Sequence, residues 1–278
     1  GNRIRQCLKG LVINKPRWLR IVVMDNASKD GSVSDLPNLD INLIESPDNL
    51  GFAGGINLAV EKFPADAYLI LNPDVQITSS EISQLKDGIN CLSLASGVVP
   101  ILVNSDGSTQ VGFTFKRLPS TMFLCVQTLG LRRLVAKTWY GRYNFYLDSN
   151  KHESALLGDR SISPLAVEQP AAACMLLRSE MMANLKGFST DYWPAWYEDV
   201  DFCKRAQQSG HKLFCLPNIH VIHEGGYSVK NLGKAKFEKI FLANQKIYVD
   251  KFEKSYIKKM LHTLITTIRG AAFSLLKK

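Results

Sequence analysis

The feature that most constrains this chain is an alternation of short apolar runs with helical stretches across residues 3–103. Residues 20–24, 41–45, 68–71 and 97–103 read as strands, rich in aliphatic and β-branched side chains and bounded by polar turns. Residues 3–11, 56–62 and 80–90 carry helix-forming sequence between and before them. Strands that alternate with helices in this way predict an α/β fold, with a mixed, mostly parallel central sheet flanked by helices. In such sheets ligands bind beyond the carboxyl ends of the strands. The turns that follow the strands are therefore the first place to look for function.

Three of those turns have residue types suited to a nucleotide. The turn 25–32 opens with Asp25 and Asn26, the turn 46–55 holds Asn49, Gly51 and Gly54, and Asn72-Pro73-Asp74 follows the third strand. A carboxylate at Asp25 can accept hydrogen bonds from a base edge or a ribose. Glycines at 51, 54 and 55 let backbone approach phosphate or sugar closely. Asp74 can hold a divalent cation that bridges a diphosphate, because hard metals take carboxylate oxygens. Asx-turns at Asp25 and Asp74 and plain loop flexibility at the glycines explain each residue singly. Their repetition at successive strand ends favours the ligand. No G-x-G-x-x-G lies between a strand and a helix and GxxxxGK[ST] is absent, which argues against nicotinamide and P-loop chemistry.

Beyond residue 103 the alternation lapses. Residues 104–109 (NSDGST) read as a hairpin turn between 101–103 and 110–111. Residues 116–164 are irregular, basic and aromatic (Trp139, Tyr140, Tyr143, Phe145, Tyr146), which suits an acceptor-side loop or a poorly ordered insert. Apolar alternation returns over 167–178, where Ala171, Ala172 and Ala173 are small enough to floor a pocket. Residues 179–185 form a short predicted helix with Ser179 as its N-cap. Then come Glu198, Asp199 and Asp201, three carboxylates within four residues, behind aromatic side chains. The helix predicted over 199–208, ended by Gly210, places these acids at a helix N-terminus, where backbone N–H groups favour negative charge. One acid there suits a helix cap, whereas three beside aromatic residues suit a reaction site. A strand is expected over 211–215, followed by His220 and His223. A zinc site lacks a third and fourth ligand, so His223 reads either as a co-ligand of the cation at Asp74 or as a structural histidine.

Charge places the rest. Of the 278 residues, 34 are Lys or Arg and 25 Asp or Glu, a net charge of +9. Residues 230–278 hold 12 basic and 3 acidic residues, so the remainder is balanced at 22 of each sign. A uniformly basic nucleic-acid binder would not be distributed in this way. Six cysteines without C-x-x-C spacing suit reduced thiols in a cytosolic protein. No charged leader with an apolar stretch is evident, nor an apolar run near the ~18 residues that a membrane span needs. Residues 234–248 read as a helix. From Ile257, apolar residues at 260, 261, 264, 265, 268, 272, 275 and 276 keep helical period beside Lys258, Lys259, Arg269, Lys277 and Lys278. Such a helix lies on an anionic membrane surface or packs on the domain or a partner.

The ordered set VVMDNASKDGS (22–32), DNLGFAGGIN (48–57), LILNPDV (69–75), ACMLLRSEMMANLKGFSTDYW (173–193), YEDVDFCKR (197–205) and HEGGYS (223–228) resembles the inverting family 2 glycosyltransferases of GT-A fold. The likeness is strongest to their bacterial rhamnosyltransferase-like branch and spans roughly residues 3–230. It implies transfer of a sugar, with rhamnose a candidate, from a UDP- or dTDP-sugar to a hydroxyl of a glycan or lipid-linked glycan in cell-surface polysaccharide assembly. By that resemblance Asp25 and Asn26 meet the nucleotide, and Asn49, Gly51 and Gly54 line the donor. Asp74, with Asn72 in place of the first acid of Asp-X-Asp, holds Mg²⁺ or Mn²⁺ and the ribose–diphosphate, and His223 completes the metal site. The pair Glu198–Asp199 contains the catalytic base; Asp199 is preferred and Glu198 stays open. Asp201 orients the site or caps the helix.

The resemblance also divides the chain. Residues 1–230 form the catalytic domain, with a nucleotide-sugar-binding half (1–103) and an acceptor half (104–230), and 231–278 form a basic amphipathic helical tail. It implies an enzyme of the cytoplasm, peripheral on the inner face of a membrane. Two departures stand out. The family's first strand, ending in Thr-Tyr-Asn or similar, has no counterpart, so a central pairing position is expected to be empty. Asn72 carries no charge, which weakens metal dependence. A nucleotidyltransferase would need an acidic pair for two metals and a basic residue near the first loop. A silent nucleotide-sugar-binding or membrane-associated scaffold is the alternative outside enzymes.

Overall fold

A computed structural model describes residues 2–34, 36, 39–114, 116–135, 138, 163–226 and 232–275. The aromatic run 139–146 and the Tyr227-Ser228 end of the last motif lie outside the described residues.

Strand β5 (Gly97–Val103) is the centre of the molecule, and all seven of its residues are buried. Val98 and Leu102 enter one apolar cluster, and Val99, Ile101 and Val103 enter another, because successive side chains of a strand face opposite ways. The first cluster is closed by α1 (Asn2–Val12) and α3 (Ser79–Cys91) through Leu8, Leu85 and Ile89. A capping box starts α3: the Thr78 hydroxyl accepts from the Glu81 N–H while the Glu81 carboxylate accepts from the Thr78 N–H. The second cluster is closed by α2 (Gly51–Lys62), α7 (Ser179–Asn184) and α8 (Glu198–Gln208) through Ala53, Met181 and Phe202. Phe202 stacks on Phe188 with ring centroids 4.3 Å apart. Each such buried aliphatic or aromatic side chain is worth about 1.5–3 kcal/mol.

Around β5 the sheet runs in the order β3 (Ala67–Leu71), β7 (Cys174–Arg178), β5, β8 (Leu213–His223), β4 (Val75–Gln76), with β6 (Leu165–Val167) also on β8. A separate parallel pair joins β1 (Val22–Asn26) to β2 (Asn42–Ser46), and no ladder among the described residues links it to the larger sheet. Helix α2 bridges the two: Gly55 lies against Met24 of β1, and Ala53 shares a cluster with Ile70 of β3.

The architecture is the expected mixed α/β one, but it is less parallel than expected. The β1–β2 and β5–β8 ladders are parallel, and the other four are antiparallel. Helices still separate β5 from β6 and β7 from β8, but β6 and β7 each pair antiparallel with their neighbours. Thus β7 threads between β3 and β5 and pairs antiparallel with both.

Four local features also differ. Helix α2 begins at Gly51, not at Ile56. Strand β8 runs on to His223 through a register shift opposite Pro100 and Ile101, rather than ending at Cys215. Residues 111–114 form a turn of helix, α4, where a second hairpin strand was expected. Ser179 does not cap α7, whose N-cap is Arg178, with no side-chain cap bond.

A third cluster joins α5 (Thr121–Thr128) to α9 (Lys234–Phe252) through Leu124, Tyr192, Tyr197, Tyr248 and Val249. The stretch from residue 231 onward is thus built into the body at α9 and continues as α10 (Tyr256–Leu275), which packs on α5 and α9.

Candidate active site

A cavity of about 460 Å³ opens where β4, β8, the start of α8 and α9 converge. Asn72, Asp74, Glu198, Asp199 and His223 all line it, and Ala171, Ala172 and Ala173 are part of its wall. Five polar residues up to 151 positions apart, which the sequence could only propose as members of one site, share a single space.

Its Asp74–His223 corner is made by a strand ladder. Val75 of β4 pairs with His223 of β8, so Asp74 and His223 become neighbours by register. The Glu224 N–H donates to the Asp74 carbonyl at 3.0 Å, and the Asn72 N–H donates to the Ala173 carbonyl at 2.9 Å, which pins the turn. Asp74 Oδ1 lies 3.6 Å from His223 Nε2 and is buried without a hydrogen-bond partner. Arg3 stands behind, with Nη1 3.8 Å from Asp74 Oδ2 and Nη2 3.1 Å from Glu224 Oε2.

The state of His223 follows from its other neighbour. Gln110 Nε2 donates to Asn104 Oδ1 and to the His223 carbonyl, so Gln110 Oε1 is the acceptor that faces His223 Nδ1 at 2.8 Å. That assignment puts the imidazole proton on Nδ1 and leaves Nε2 with a bare lone pair. Burial holds the His223 pKa below its ordinary value, against the opposing pull of Asp74. Two bare acceptors, one of them an orphaned carboxylate oxygen, therefore face each other in a buried corner. This donor set fits a divalent cation, with the rest of its coordination left to other oxygen ligands. Among the described residues no group of three or more His, Cys, Asp or Glu gathers around one point.

The acidic corner is made differently. Trp196 and Tyr197 both take left-handed backbone conformations, with φ of 75° and 79°, immediately before Glu198. Non-glycine residues in that region cost about 1–3 kcal/mol each and persist only where the surroundings hold them. Here the holder is α9. Asn244 Nδ2 donates to the carbonyls of Tyr192, Ala195 and Trp196 at 2.9–3.2 Å, and Gln245 Nε2 donates to the Tyr197 hydroxyl at 2.9 Å. The result swings both Glu198 and Asp199 into the cavity.

These two acids are not doing the work of caps. Tyr197 is the N-cap residue and makes no side-chain cap bond. Glu198 is 6% exposed, and its Oε2 is buried without a partner. Burial, and then the nearby Asp199 charge, push its pKa well above the ordinary carboxylate range. Asp199 Oδ1 accepts from the Val200 N–H at 2.8 Å. Burial raises its pKa as well, but Lys116 and backbone N–H groups of Val200 and Ala172 pull it back down. Asp199 is thus the member of the pair that holds its charge more readily.

Asp201 stands apart. It is 0% exposed and does not line the cavity. Its carboxylate accepts from the Tyr192 hydroxyl and Arg205 Nε and pairs with Lys251 Nζ at 2.7 Å, tying α8 to the preceding turn and to α9. Arg205 in turn donates to the carbonyls of Leu185 and Gly187.

Of the first two polar turns, Phe52 lines the cavity. Asp25, Asn26, Asn49, Gly51 and Gly54 are not among its lining residues. Asp25 accepts from the Ser28 N–H at 3.2 Å, an Asx-type turn. Asn26 spends both ends of its amide on the next loop, donating to the Gly51 carbonyl and accepting from the Leu50 N–H. Asn49 accepts from the Gly51 N–H with its side chain and from Trp193 Nε1 with its carbonyl. Gly51 has φ of 73°, and a Cβ there would lie 2.9 Å from the Pro194 carbonyl oxygen. A Cβ on Gly54 would lie 2.9 Å from Leu50 Cβ. The close approach that these glycines permit is to the protein's own chain. Sequence reasoning missed Gln110, Lys116, Asn244 and Gln245, because each acts across more than 45 residues of separation or inside an unpatterned stretch.

Comparison with known proteins points to glycosyl transfer. Residues 1–111 match the family model for glycosyl transferase family 2. The chain is 23% identical over 243 residues to N-acetylglucosaminyl-diphospho-decaprenol L-rhamnosyltransferase of Mycobacterium tuberculosis, covering 82% of this chain and 74% of the relative. It is 24% identical over 263 residues to the low-salt glycan biosynthesis hexosyltransferase Agl10 of Haloferax volcanii, covering 90% and 73%. The chain is thus similar to family 2 glycosyltransferases over its first 111 residues, and to named glycosyltransferases over most of its length. Its fold matches that of the mannosyltransferase PcManGT of Pyrobaculum calidifontis, solved with GDP-Man and Mn²⁺, at a TM-score of 0.56 over 98% of this chain and 70% of that chain, with 14% identity. Among the described residues no helix is long and apolar enough to cross a membrane.

Proposed function

We propose that this glycosyltransferase moves a sugar, rhamnose being the leading candidate, from a nucleoside-diphosphate donor to the hydroxyl of a lipid-linked glycan, with inversion at the anomeric carbon. The observation that carries the reading is the sharing of one cavity by the bare Asp74 Oδ1–His223 Nε2 pair and by the Glu198–Asp199 pair. Asp74 and His223 would hold Mg²⁺ or Mn²⁺. When bound, the ion supplies positive charge against the diphosphate leaving group. Arg3 adds charge behind the same corner. We assign Asp25, Asn26, Asn49, Gly51 and Gly54 to the frame of the donor side, with Asn72 and Asp74 as its contacts.

The base is Asp199. A general base must be ionised and within reach of the proton it takes. Lys116 and two backbone N–H groups favour the ionised form of Asp199, whereas Glu198 is driven further toward its protonated form. In the reaction the acceptor hydroxyl gives its proton to the Asp199 carboxylate as its oxygen bonds to the anomeric carbon. The bond from that carbon to the diphosphate breaks, and the electron pair leaves with the nucleotide. Glu198 shapes the acceptor side, and Asp201 supports α8.

Two similarities support the lipid-linked acceptor and a UDP-, dTDP- or GDP-sugar donor. The mycobacterial relative is named for a prenyl-diphosphate-linked acceptor, and the structural neighbour was solved with GDP-Man and Mn²⁺. The six free thiols suit a reducing compartment, so we place the reaction on the cytoplasmic face of a membrane, in glycan assembly. Titration calorimetry of the chain against UDP-, dTDP- and GDP-sugars, with and without Mn²⁺, tests this. Metal-dependent binding of one donor, followed by slow release of the nucleoside diphosphate, is expected. Failure of every donor to bind in the presence of Mn²⁺ would overturn the reading.

A further inference from the structure

Helix α10 presents two faces of opposite character. Its inner face, His262, Ile265 and Thr266, is buried against the body. Its outer face carries Tyr256, Ile257, Met260, Leu264 and Ile268, which are between 57% and 78% exposed. Positions 257, 260, 264 and 268 fall on one stripe of an α-helix. The neighbouring element also carries exposed apolar side chains. On α5, the element beneath α10, Met122 is exposed, and beyond its C-terminus so are Leu129, Leu131 and Leu134, the last in α6 (Arg132–Val135). Single exposed apolar residues are ordinary, but a four-residue apolar stripe beside a second element with exposed leucines marks an interaction surface.

Charge identifies the occupant. From Tyr256 to Lys278 the sequence holds Lys258, Lys259, Arg269, Lys277 and Lys278 and no acid. Lys254 and Lys258 are exposed at the near end of the stripe, and Lys259 and Arg269 are anchored along its flank to the Asp250 carbonyl and the Glu238 carboxylate. A second copy of the chain would set this one-signed patch against itself, which like-charge repulsion opposes. An anionic bilayer answers both features, taking apolar side chains into the boundary between headgroups and acyl chains and the lysines to its phosphates.

We infer that the outer face of α10 and the exposed leucines after α5 together form a docking surface for an anionic lipid bilayer. The surface stands on exposure and charge alone; its purpose rests on the reading of the acceptor as lipid-borne. Phe123 and Gln127 of α5 and Phe237 and Phe241 of α9 line the active cavity, and these are the helices on which α10 packs. The inner face of α10 also reaches the site through hydrogen bonds: His262 Nε2 meets Gln245 Oε1 at 2.9 Å, and Gln245 Nε2 holds the Tyr197 hydroxyl. Docking therefore sets the acceptor-side wall of the cavity at the bilayer.

Sedimentation of the full chain with phosphatidylcholine vesicles, with and without phosphatidylglycerol, tests the inference. The chain is expected to pellet with the phosphatidylglycerol vesicles, less so as salt rises, and weakly with phosphatidylcholine alone. The triple variant Ile257→Asp/Leu264→Asp/Ile268→Asp should lower the partition coefficient by about tenfold or more. The variant Leu131→Asp/Leu134→Asp, on the other element, should lower it too. All these side chains are exposed, so melting temperature and Mn²⁺-dependent donor binding should stay at the parent values. Absence of pelleting with phosphatidylglycerol vesicles would overturn the docking surface, as would pelleting that both variants leave unchanged. So would a concentration-dependent dimer of the parent chain that the triple variant abolishes. Donor binding is read without vesicles, so its failure alongside intact vesicle binding strikes only the transferase reading.

Discussion

The two corners of the active cavity are built by opposite means. Asp74 and His223 are brought together by a β-ladder, backbone to backbone, with Val75 opposite His223. Glu198 and Asp199 are brought in by two left-handed residues that side-chain amides on a distant helix hold in place. A ladder fixes position through the repeat of the sheet and tolerates changes of side chain. A clamped loop stores strain and depends on the few groups that clamp it. The Asp74–His223 corner should therefore fail locally, through its own two side chains, and the acidic corner both locally and from a distance.

The largest expected effect is at the proposed base. Asp199→Asn should reduce turnover by about 10²–10⁴-fold, the contribution of a positioned general base, while calorimetry shows donor affinity little changed. Glu198→Gln should cost less, because the acid it replaces is held toward the protonated form. Equal losses in both variants would dissolve the distinction between the two acids.

On the ladder side, Gln110→Leu removes the group that fixes the His223 tautomer without touching the strand pairing. Loss of such an orienting partner typically costs about 10–100-fold in metal affinity, which Mn²⁺ titration of the nucleotide-bound protein would read. Unchanged Mn²⁺ affinity would argue that His223 is oriented by the sheet alone.

The sharpest test of action at a distance is Asn244→Ala. It leaves three loop carbonyls without their donor, a cost of about 1–3 kcal/mol that thermal unfolding would report. Turnover should fall as well, although residue 244 lines no part of the cavity. Full activity in a destabilised protein would mean that the loop keeps its shape without the clamp.

The smallest effect concerns pH. Burial raises the Asp199 pKa and Lys116 opposes that rise, and as the proposed base Asp199 must be ionised to act. Lys116→Met should therefore raise that pKa and move the acid limb of the rate profile to higher pH. A limb that stays put or moves down would remove Lys116 from the electrostatics of the base.

How much of this could be read from the sequence divides along the same line. The run Gly97–Val103 is apolar throughout and emerges as β5 at the expected boundaries. Helix α8 was legible from Gly210 back to the acids, since its stop signal and its first turn are both local. Strand β8 was cut short in the reading because Pro217 and Asn218 look like a turn; in the fold they sit at the register shift beside Pro100. The start of α2 was hidden by three glycines, poor helix formers that tight packing requires at 51, 54 and 55. Asp74 and His223 could be paired only as one of two readings of His223, because 148 residues separate the partners of their ladder. The clamps Asn244 and Gln245 sit among ordinary helical sequence, and nothing local marks them.

One contact described above bears on engineering. The loop 49–57 meets the corner 188–194 through the Trp193 indole on the Asn49 carbonyl, the Phe52 N–H on the Pro194 carbonyl, and a two-way bond between the Asn57 side chain and the Phe188 backbone. Exchanging the first 103 residues for those of a relative, the natural route to a new donor preference, would carry only one side of each contact into the hybrid. A side chain at position 51 would then collide with the Pro194 carbonyl it never evolved beside. Working chimaeras of this enzyme should be cut so that 49–57 and 188–194 travel as one module, whatever lies between them in the chain.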